Sequence, residues 1–316
     1  MGSVLLFFIV FQYLILSLDI RKPSMLNIVI FEGLSHTGKS TLLETYRHHL
    51  DSLSKPHYTL SVSNDNDQET TDYFRNRIME KERRVEIHKI NKLLRHKAET
   101  RNALQEAASL TKTFSKDKAL FTYTNQGYQW IDKEYLTQYL NIAYSILLGK
   151  YNQFTQMIKL ITRFGEENAT LLLDRYIPST LVYLPLDFNQ ATLYAVSTGD
   201  LSLMVLANKV LSTYRNCLEQ LKYFHEHEFT NLSIVYTTAK LENRRMYSGH
   251  VSYNGLDDET FDRSSLDIGN DQVMSNRYLA FFKELVCPVY TIENDGSLEE
   301  SQEKVIEVLD KQLGIA

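Results

Sequence analysis

The chain has 316 residues, of which 43% are hydrophobic and 23% are charged. These fractions are typical of an ordinary globular protein, and the net charge of −5 excludes a general affinity for nucleic acid or acidic lipid. Cys217 and Cys287 lie far apart and form no CxxC motif, which excludes a disulfide framework and a cysteine metal site. We therefore expect a cytoplasmic protein without sequence-specific nucleic-acid binding.

The first 24 residues form a hydrophobic segment that differs from the rest of the chain. The apolar run at 4–18 is shorter than the roughly 20 residues that span a bilayer. It has no basic stretch before it and no small-residue cleavage site after it. Three interpretations stay open: membrane contact through residues 4–18, an extra helix packed on the domain, or a segment absent from the mature protein. The last is supported by Met25, which could serve as a start.

From residue 25 to 316 the pattern predicts one domain in which strands and helices alternate. The predicted strands cover 26–31, 58–62, 169–173, 232–237 and 289–292. The predicted helices cover 40–50, 135–164, 190–227, 273–285 and 298–313. Such alternation indicates an α/β protein with a mainly parallel central sheet flanked by helices.

A basic region interrupts this pattern at about 65–130. Residues 69–118 contain 13 Lys or Arg against 8 Asp or Glu. An apolar stripe at helical spacing predicts a long helix, with the members Ile87, Ile90, Leu94, Leu104 and Ala108. We interpret the region as a helical insertion that packs one face on the domain. A basic arm for a polyanion is the alternative.

The most specific motif is the glycine loop that follows the first predicted strand. Gly33 to Ser40 matches the pattern Gly-x4-Gly-Lys-Ser in full, between an apolar strand and a helix. Glycines let backbone N–H groups point at phosphate oxygens, and the helix N-terminus adds partial positive charge. Lys39 can reach the β- and γ-phosphates of ATP, and the Ser40 hydroxyl can bind Mg²⁺. The predicted ATP-binding residues are Gly33, Ser35, His36, Thr37, Gly38, Lys39, Ser40 and Thr41.

A second informative stretch begins where the strand at 169–173 ends. Asp174, Arg175 and Tyr176 follow it directly. In open α/β sheets ligands bind at the carboxyl ends of the strands. Asp174 there could face Mg²⁺ or a hydroxyl group, and Arg175 could hold a phosphate. A structural salt bridge is the alternative for this segment alone.

Together these segments resemble thymidylate kinase and its nucleoside-kinase relatives. The resemblance covers roughly 26–50 and 140–316 and rests on Phe31-Glu32-Gly33, the glycine loop, Asp174-Arg175-Tyr176, Ser179 and Tyr183. Arg244 and Arg245 with Glu259 lie where that family has an arginine-bearing lid. The resemblance implies a three-layer P-loop NTPase fold, ATP and Mg²⁺ as cofactors, and transfer of the ATP γ-phosphate to dTMP or a related nucleotide.

The resemblance also implies roles for single residues. Lys39, Asp174, Arg175, Arg244 and Arg245 would be catalytic, with Asp174 and Ser40 near the metal. On the acceptor side, the helix before the Asp-Arg pair would read the base. Substrate-binding residues would then be Lys150, Gln153, Tyr176 and Tyr183.

Several positions depart from the family pattern on the acceptor side. Ser35 stands where a carboxylate is usual, Lys150 where arginine is usual, and Leu184 where glutamine is common. A deoxynucleoside kinase of the same fold is therefore the alternative. A nucleotide-binding ATPase or regulatory paralogue also stays open, and the family leaves a homodimer possible. A regulatory GTPase is not supported, because neither an Asn-Lys-x-Asp nor an Asp-x-x-Gly motif is found.

Overall fold

A computed structural model gives the structure of most of the chain. The described residues are 25–61, 68–80, 86–116, 121–124, 127–130, 132–184, 188–248 and 268–315. The apolar run at 4–18 and Glu259 lie outside these ranges. Among the described helices, none is both long enough and apolar enough to cross a bilayer.

Strands and helices alternate along most of the chain. The strands are β1 (Leu26–Gly33), β2 (His57–Ser61), β3 (Phe121–Thr124), β4 (Gly127–Trp130), β5 (Thr170–Asp174), β6 (Thr230–Thr238) and β7 (Val289–Glu293). The helices are α1 (Lys39–Ser52), α2 (Gln68–Glu80), α3 (Ile87–Lys116), α4 (Lys133–Phe164), α5 (Ile177–Tyr183), α6 (Phe188–Ser197), α7 (Leu201–Glu226), α8 (Leu241–Ser248), α9 (Ile268–Phe282) and α10 (Leu298–Leu313).

The centre of the domain is a five-stranded sheet in the order β2-β5-β1-β6-β7. Every neighbouring pair in it is parallel, and the middle strand β1 pairs with both β5 and β6. Because successive side chains of a strand point to opposite faces, a parallel sheet covered on both faces needs apolar residues at every position. Residues 28–31 of β1 meet this requirement, and the α/β class with a parallel sheet is confirmed.

Helices cover both faces of this sheet. Ile28 and Ile30 belong to a large core that includes apolar residues of α4 and α7. Val29 and Phe31, which point the other way, pack with leucines and valines of α1 and α10. The fold therefore has a helical layer on each side of the sheet.

Side-chain caps begin three of these helices. The Asp132 carboxylate accepts from the N–H groups of Glu134 and Tyr135 at the start of α4. The Asp200 carboxylate accepts from the N–H groups of Ser202 and Leu203 at the start of α7. At the start of α10, Ser297 and Glu300 form a capping box, in which each side chain accepts from the other residue's N–H group. Each cap satisfies N–H groups that have no partner inside the helix.

The predicted insertion contains α2, α3 and a β3–β4 hairpin. Helix α3 packs along α4. Ile90 of the predicted stripe is buried, and Ile87, Leu94 and Leu104 are partly buried against the same core. The fully buried positions also include Leu93, Ala103 and Ala107. Polar residues interrupt that stripe, because Gly149 of α4 lets the Thr100 side chain approach closely.

Candidate functional site

The residues predicted to bind nucleotide converge at the carboxyl edge of the sheet. The chain leaves β1 toward β2 on one side and later crosses from β5 to β6 on the other side. The order thus reverses at β1, and such a switch point opens a crevice at the strand ends. The glycine loop follows β1, Asp174 ends β5, and Arg244 lies in α8 just after β6.

The loop between β1 and α1 has a backbone conformation that requires glycine. Gly33 and Gly38 have φ angles of 150° and 81°. A Cβ atom on Gly38 would lie 2.2 Å from Asn294 Nδ2, and one on Gly33 would lie 2.4 Å from the Thr237 carbonyl oxygen. Gly38 is also the N-cap of α1 and provides no side-chain cap. The first N–H groups of α1 are therefore suited to bind an anion.

Side chains from distant strands support the loop. The Thr37 hydroxyl lies 2.9 Å from the Thr237 hydroxyl of β6 and donates to the Leu34 carbonyl oxygen. The Asn294 amide, just after β7, donates to the Thr37 carbonyl oxygen at 3.1 Å. The Ser301 hydroxyl of α10 in turn donates to the side-chain Oδ1 of Asn294 at 2.9 Å. The loop is therefore fixed from the side of the sheet that contains β6 and β7.

Lys39 and Asp174 meet in the centre of the site. Lys39 Nζ lies 2.6 Å from Asp174 Oδ1, and both side chains are buried. Burial would raise the pKa of Asp174, but Lys39 and Arg175 hold it below its ordinary value. Burial and the neighbouring Arg175 lower the pKa of Lys39, against the attraction of Asp174. The Ser40 hydroxyl lies 3.4 Å from Lys39 Nζ, so Lys39 contacts both predicted metal-binding residues, Ser40 and Asp174.

Arg175 has an uncommon backbone conformation. Its φ angle is 68°, in the left-handed region that residues with a Cβ rarely adopt. Its N–H donates to the Phe31 carbonyl oxygen, and its guanidinium Nη1 donates to the Gly33 carbonyl oxygen at 3.1 Å. The guanidinium therefore lies beside the glycine loop, and strained residues of this kind concentrate at functional sites.

Glu32 is a second carboxylate at this edge, and it is not among the site residues predicted from the sequence. It is fully buried at the end of β1, and its Oε1 accepts from the Tyr176 N–H at 2.5 Å. Burial raises the pKa of Glu32, although Lys150 and Arg175 counteract this. A charged residue that ends an otherwise apolar strand, directly before the glycine loop, was the signal that could have identified it.

Lys150 of α4 contacts the Asp-Arg-Tyr segment. Its ammonium group donates to the Tyr176 carbonyl oxygen at 2.5 Å. Burial lowers the pKa of Lys150 to about 8, although Glu32 acts in the opposite direction. The site thus brings Lys39, Lys150 and Arg175 close to the two carboxylates, and this excess of positive charge suits phosphate groups.

Two predicted acceptor residues point into helix interfaces. The Gln153 side-chain amide donates to the Thr100 hydroxyl and to the His96 carbonyl oxygen of α3. The Tyr176 hydroxyl donates to Gln220 of α7, and its ring packs on Phe154. The described contacts of Gln153 and Tyr176 therefore join helices to one another.

The two predicted lid arginines lie in α8. Arg244 is only 1% exposed, and its Nε donates to the Ser35 carbonyl oxygen at 2.9 Å. This contact brings α8 against the glycine loop. The side chains of Arg245 and Tyr183 lie outside the described part of the structure, although their backbones belong to α8 and α5.

The remaining predicted residues lie in the middle of the glycine loop and at the start of α1. His36 has a φ angle of 62° in the middle of the loop, and Ser40 and Thr41 are exposed at the start of α1. No group of three or more His, Cys, Asp or Glu within the described ranges could hold a metal by itself. Mg²⁺ commonly takes only one or two protein ligands besides phosphate oxygens and water, so Ser40 and Asp174 fit that pattern.

In comparisons with known proteins, no protein-family model matches the chain and no curated protein matches it significantly.

Proposed function

We propose that the protein is an ATP-dependent nucleoside monophosphate kinase of the thymidylate kinase kind. Its acceptor would be dTMP or a related nucleotide. The observation that carries this proposal is the contact between Lys39 of the glycine loop and Asp174 at the end of β5. It joins the phosphate-binding motif to a carboxylate-arginine pair at one sheet edge, and the parallel sheet around it is compatible with a P-loop fold.

The donor side would bind ATP through the loop and α1. The N–H groups around Gly38 would bind the phosphates, and Lys39 would neutralise the oxygens of the transferred group. Ser40 and Asp174 would hold Mg²⁺, which supplies charge stabilisation for the phosphates when bound. Arg244 lies against the loop through Ser35, from where it would add positive charge over the donor.

The acceptor side would lie between Arg175 and Lys150. Arg175 borders the loop through Gly33, so its guanidinium is suited to orient phosphate groups of both substrates. Lys150 contacts the same segment through the Tyr176 carbonyl oxygen and adds a second cation. Positioning and electrostatic stabilisation of this kind provide nearly all of the catalysis in phosphoryl transfer.

A deoxynucleoside kinase is the second candidate, and Glu32 is the observation that favours it. A hydroxyl acceptor must lose a proton during transfer, whereas a monophosphate acceptor already carries a nucleophilic anion. Glu32 is a buried carboxylate with a raised pKa, next to Asp174 in the sheet edge. A carboxylate of this kind is suited to accept a proton.

An acceptor panel tests the proposal. The protein would be incubated with ATP and Mg²⁺ and with each common nucleoside or nucleoside monophosphate, and products would be separated by anion-exchange chromatography. We expect a diphosphate product from one or a few monophosphates, with dTMP first, and none from the Lys39→Met variant. A monophosphate product from a nucleoside would support the second candidate. ADP release that no acceptor stimulates would leave only an ATPase and contradict both.

A further inference from the structure

Helix α9 contacts both sides of the crevice through two consecutive residues. The Arg277 guanidinium Nη1 donates to the carbonyl oxygens of Val182 and Leu184, at 3.0 and 2.9 Å. The Tyr278 hydroxyl donates to the Gly33 carbonyl oxygen at 3.0 Å and lies 3.4 Å from Glu32 Oε2. One residue therefore reaches the end of α5, and the next reaches the start of the glycine loop.

The position of the Tyr278 hydroxyl is determined by dense packing. Tyr278 is fully buried, and its ring lies 5.1 Å from that of Tyr236 and 5.8 Å from that of Phe282. Leu34 of the glycine loop and Val182 of α5 belong to the same apolar cluster. Because interiors are close-packed, a shift of α9 would be transmitted to both of these neighbours.

Arg277 stabilises the C-terminal end of α5, a short helix whose first residue follows Arg175 and Tyr176. The last carbonyl groups of a helix have no partner inside it, and a cation there also interacts favourably with the helix dipole. Helix α5 is only seven residues long and begins directly after Arg175 and Tyr176. Its length makes this contact important, because a short helix has few internal hydrogen bonds of its own.

We propose that Arg277 and Tyr278 are positioning residues that couple the acceptor-side helix α5 to the donor-side glycine loop. The proposal rests on the proposed function. Neither side chain needs to touch a substrate: Arg277 acts through the end of α5, and Tyr278 acts through Gly33 and Glu32. Phosphoryl transfer requires the two substrates in line, and a misplacement of about 1 Å can cost roughly 10²-fold in rate.

Two variants test this coupling, each with a matched control. Tyr278→Phe removes only the hydroxyl, and Arg277→Gln removes the guanidinium. The controls are Tyr290→Phe, whose hydroxyl contacts Gln312 far from the site, and Arg75→Gln on the exposed face of α2. Amide hydrogen exchange and steady-state kinetics would be measured for all four variants and for the wild-type protein.

The expected result is a shared response of both segments. Each variant should raise the exchange of 33–38 and also of 177–184, whereas the controls should change neither. In the kinase assay, kcat should fall by roughly 10–100-fold with KM for ATP changed less than about threefold, because alignment rather than binding is lost. Arg277→Lys, which keeps one donor, should recover part of the kcat.

Independent responses would overturn the coupling. If Tyr278→Phe affects only 33–38 and Arg277→Gln affects only 177–184, α9 does not join the two sides. A kcat of Tyr278→Phe equal to that of Tyr290→Phe would also contradict the proposal. If the wild-type protein transfers phosphate to no acceptor, the proposed function fails, but the exchange measurement still decides whether α9 couples the two segments.

Discussion

The ammonium group of Lys39 lies 2.6 Å from a carboxylate oxygen of Asp174, and both side chains are at least nine-tenths buried. The partners are 135 residues apart and belong to α1 and β5. Removing one partner of a buried ion pair leaves an uncompensated charge, which costs more than removing both. The pair therefore links stability to the chemistry of the site.

Replacing Lys39 with methionine should abolish phosphate transfer and lower the free energy of unfolding. We expect a loss of about 3–5 kcal/mol, because Asp174 is left buried without its main partner. The double variant Lys39→Met with Asp174→Asn should recover most of this stability but no activity. Urea denaturation and the acceptor assay measure the two effects. Equal stability of the single and double variants would show that the ion pair has no such role.

Asp174→Asn should reduce turnover far more than ATP affinity. The amide keeps the size of the side chain but loses the charge that would place Mg²⁺, so we expect kcat to fall roughly 10²–10³-fold. The Kd for ATP, from isothermal titration, should change less than about tenfold. Asp72→Asn, on the exposed face of α2, is the control. Parallel losses in affinity and kcat would instead indicate a role in donor binding.

The lowered pKa of Lys150 predicts that acceptor binding depends on pH. Its pKa in the folded protein is about 8, against an ordinary value of 10.5, so its positive charge is lost as the pH rises past 8. The KM for an anionic acceptor should therefore rise between pH 7 and 9 in the wild-type protein. In Lys150→Arg it should stay nearly constant, because a guanidinium keeps its charge. A wild-type KM that does not change over this range contradicts the assignment.

The lowered pKa of Lys150 also makes the stability of the protein depend on pH. Between pH 8 and 10.5 the folded protein binds fewer protons at Lys150 than the unfolded chain does. The contribution of this residue to the free energy of unfolding should therefore increase with pH across that window. Comparing urea midpoints of the wild-type protein and Lys150→Met at pH 7.5 and 10 measures the difference.

Gly38→Ala should weaken ATP binding by more than its loss of folding stability would cause. The new Cβ would lie 2.2 Å from the Asn294 amide, which supports the loop through Thr37. Gly199 is a matched control, because it also has a positive φ angle, 72°, but its Cβ would meet no atom within 4 Å. Gly199→Ala should cost about 1 kcal/mol and leave the Kd for ATP unchanged. Gly38→Ala should raise that Kd at least about tenfold.

Glu32→Gln separates the two candidate acceptors. Glutamine keeps an oxygen for the Tyr176 N–H but cannot accept a proton as a carboxylate does. Phosphorylation of a nucleoside hydroxyl should fall roughly 10²–10⁴-fold, whereas transfer to a monophosphate should fall less than about tenfold. A large loss with a monophosphate acceptor would point to a structural rather than a proton-accepting role.

The local parts of the site could be predicted from the sequence. An apolar strand, a glycine loop and a helix are adjacent in the chain, and their order determines where Lys39 and Ser40 lie. Asp174 could be placed because a strand end in a parallel sheet is also a local feature. The roles of Asn294 and Tyr278 could not be predicted, since their partners are set by strand order and helix packing.

Helical periodicity has a related limit. It placed Lys150 and Gln153 on α4 but could not tell which neighbour each would face. Lys150 reaches Tyr176, whereas Gln153 binds Thr100 of the insertion. The predicted stripe of α3 includes the buried Ile90 but not the buried Thr100, because apolar spacing does not reveal that Gly149 admits a polar contact.

The support of the glycine loop also has a consequence for the synthesis of the chain. Thr37 contacts Thr237 and Asn294, which follow it by 200 and 257 residues. The glycine loop is synthesised early, whereas Thr237 and Asn294 are added late in translation. A chain that stops before β7 lacks Asn294 and should therefore fail to bind to immobilised ATP, and retention on such a column would separate finished chains from truncated ones.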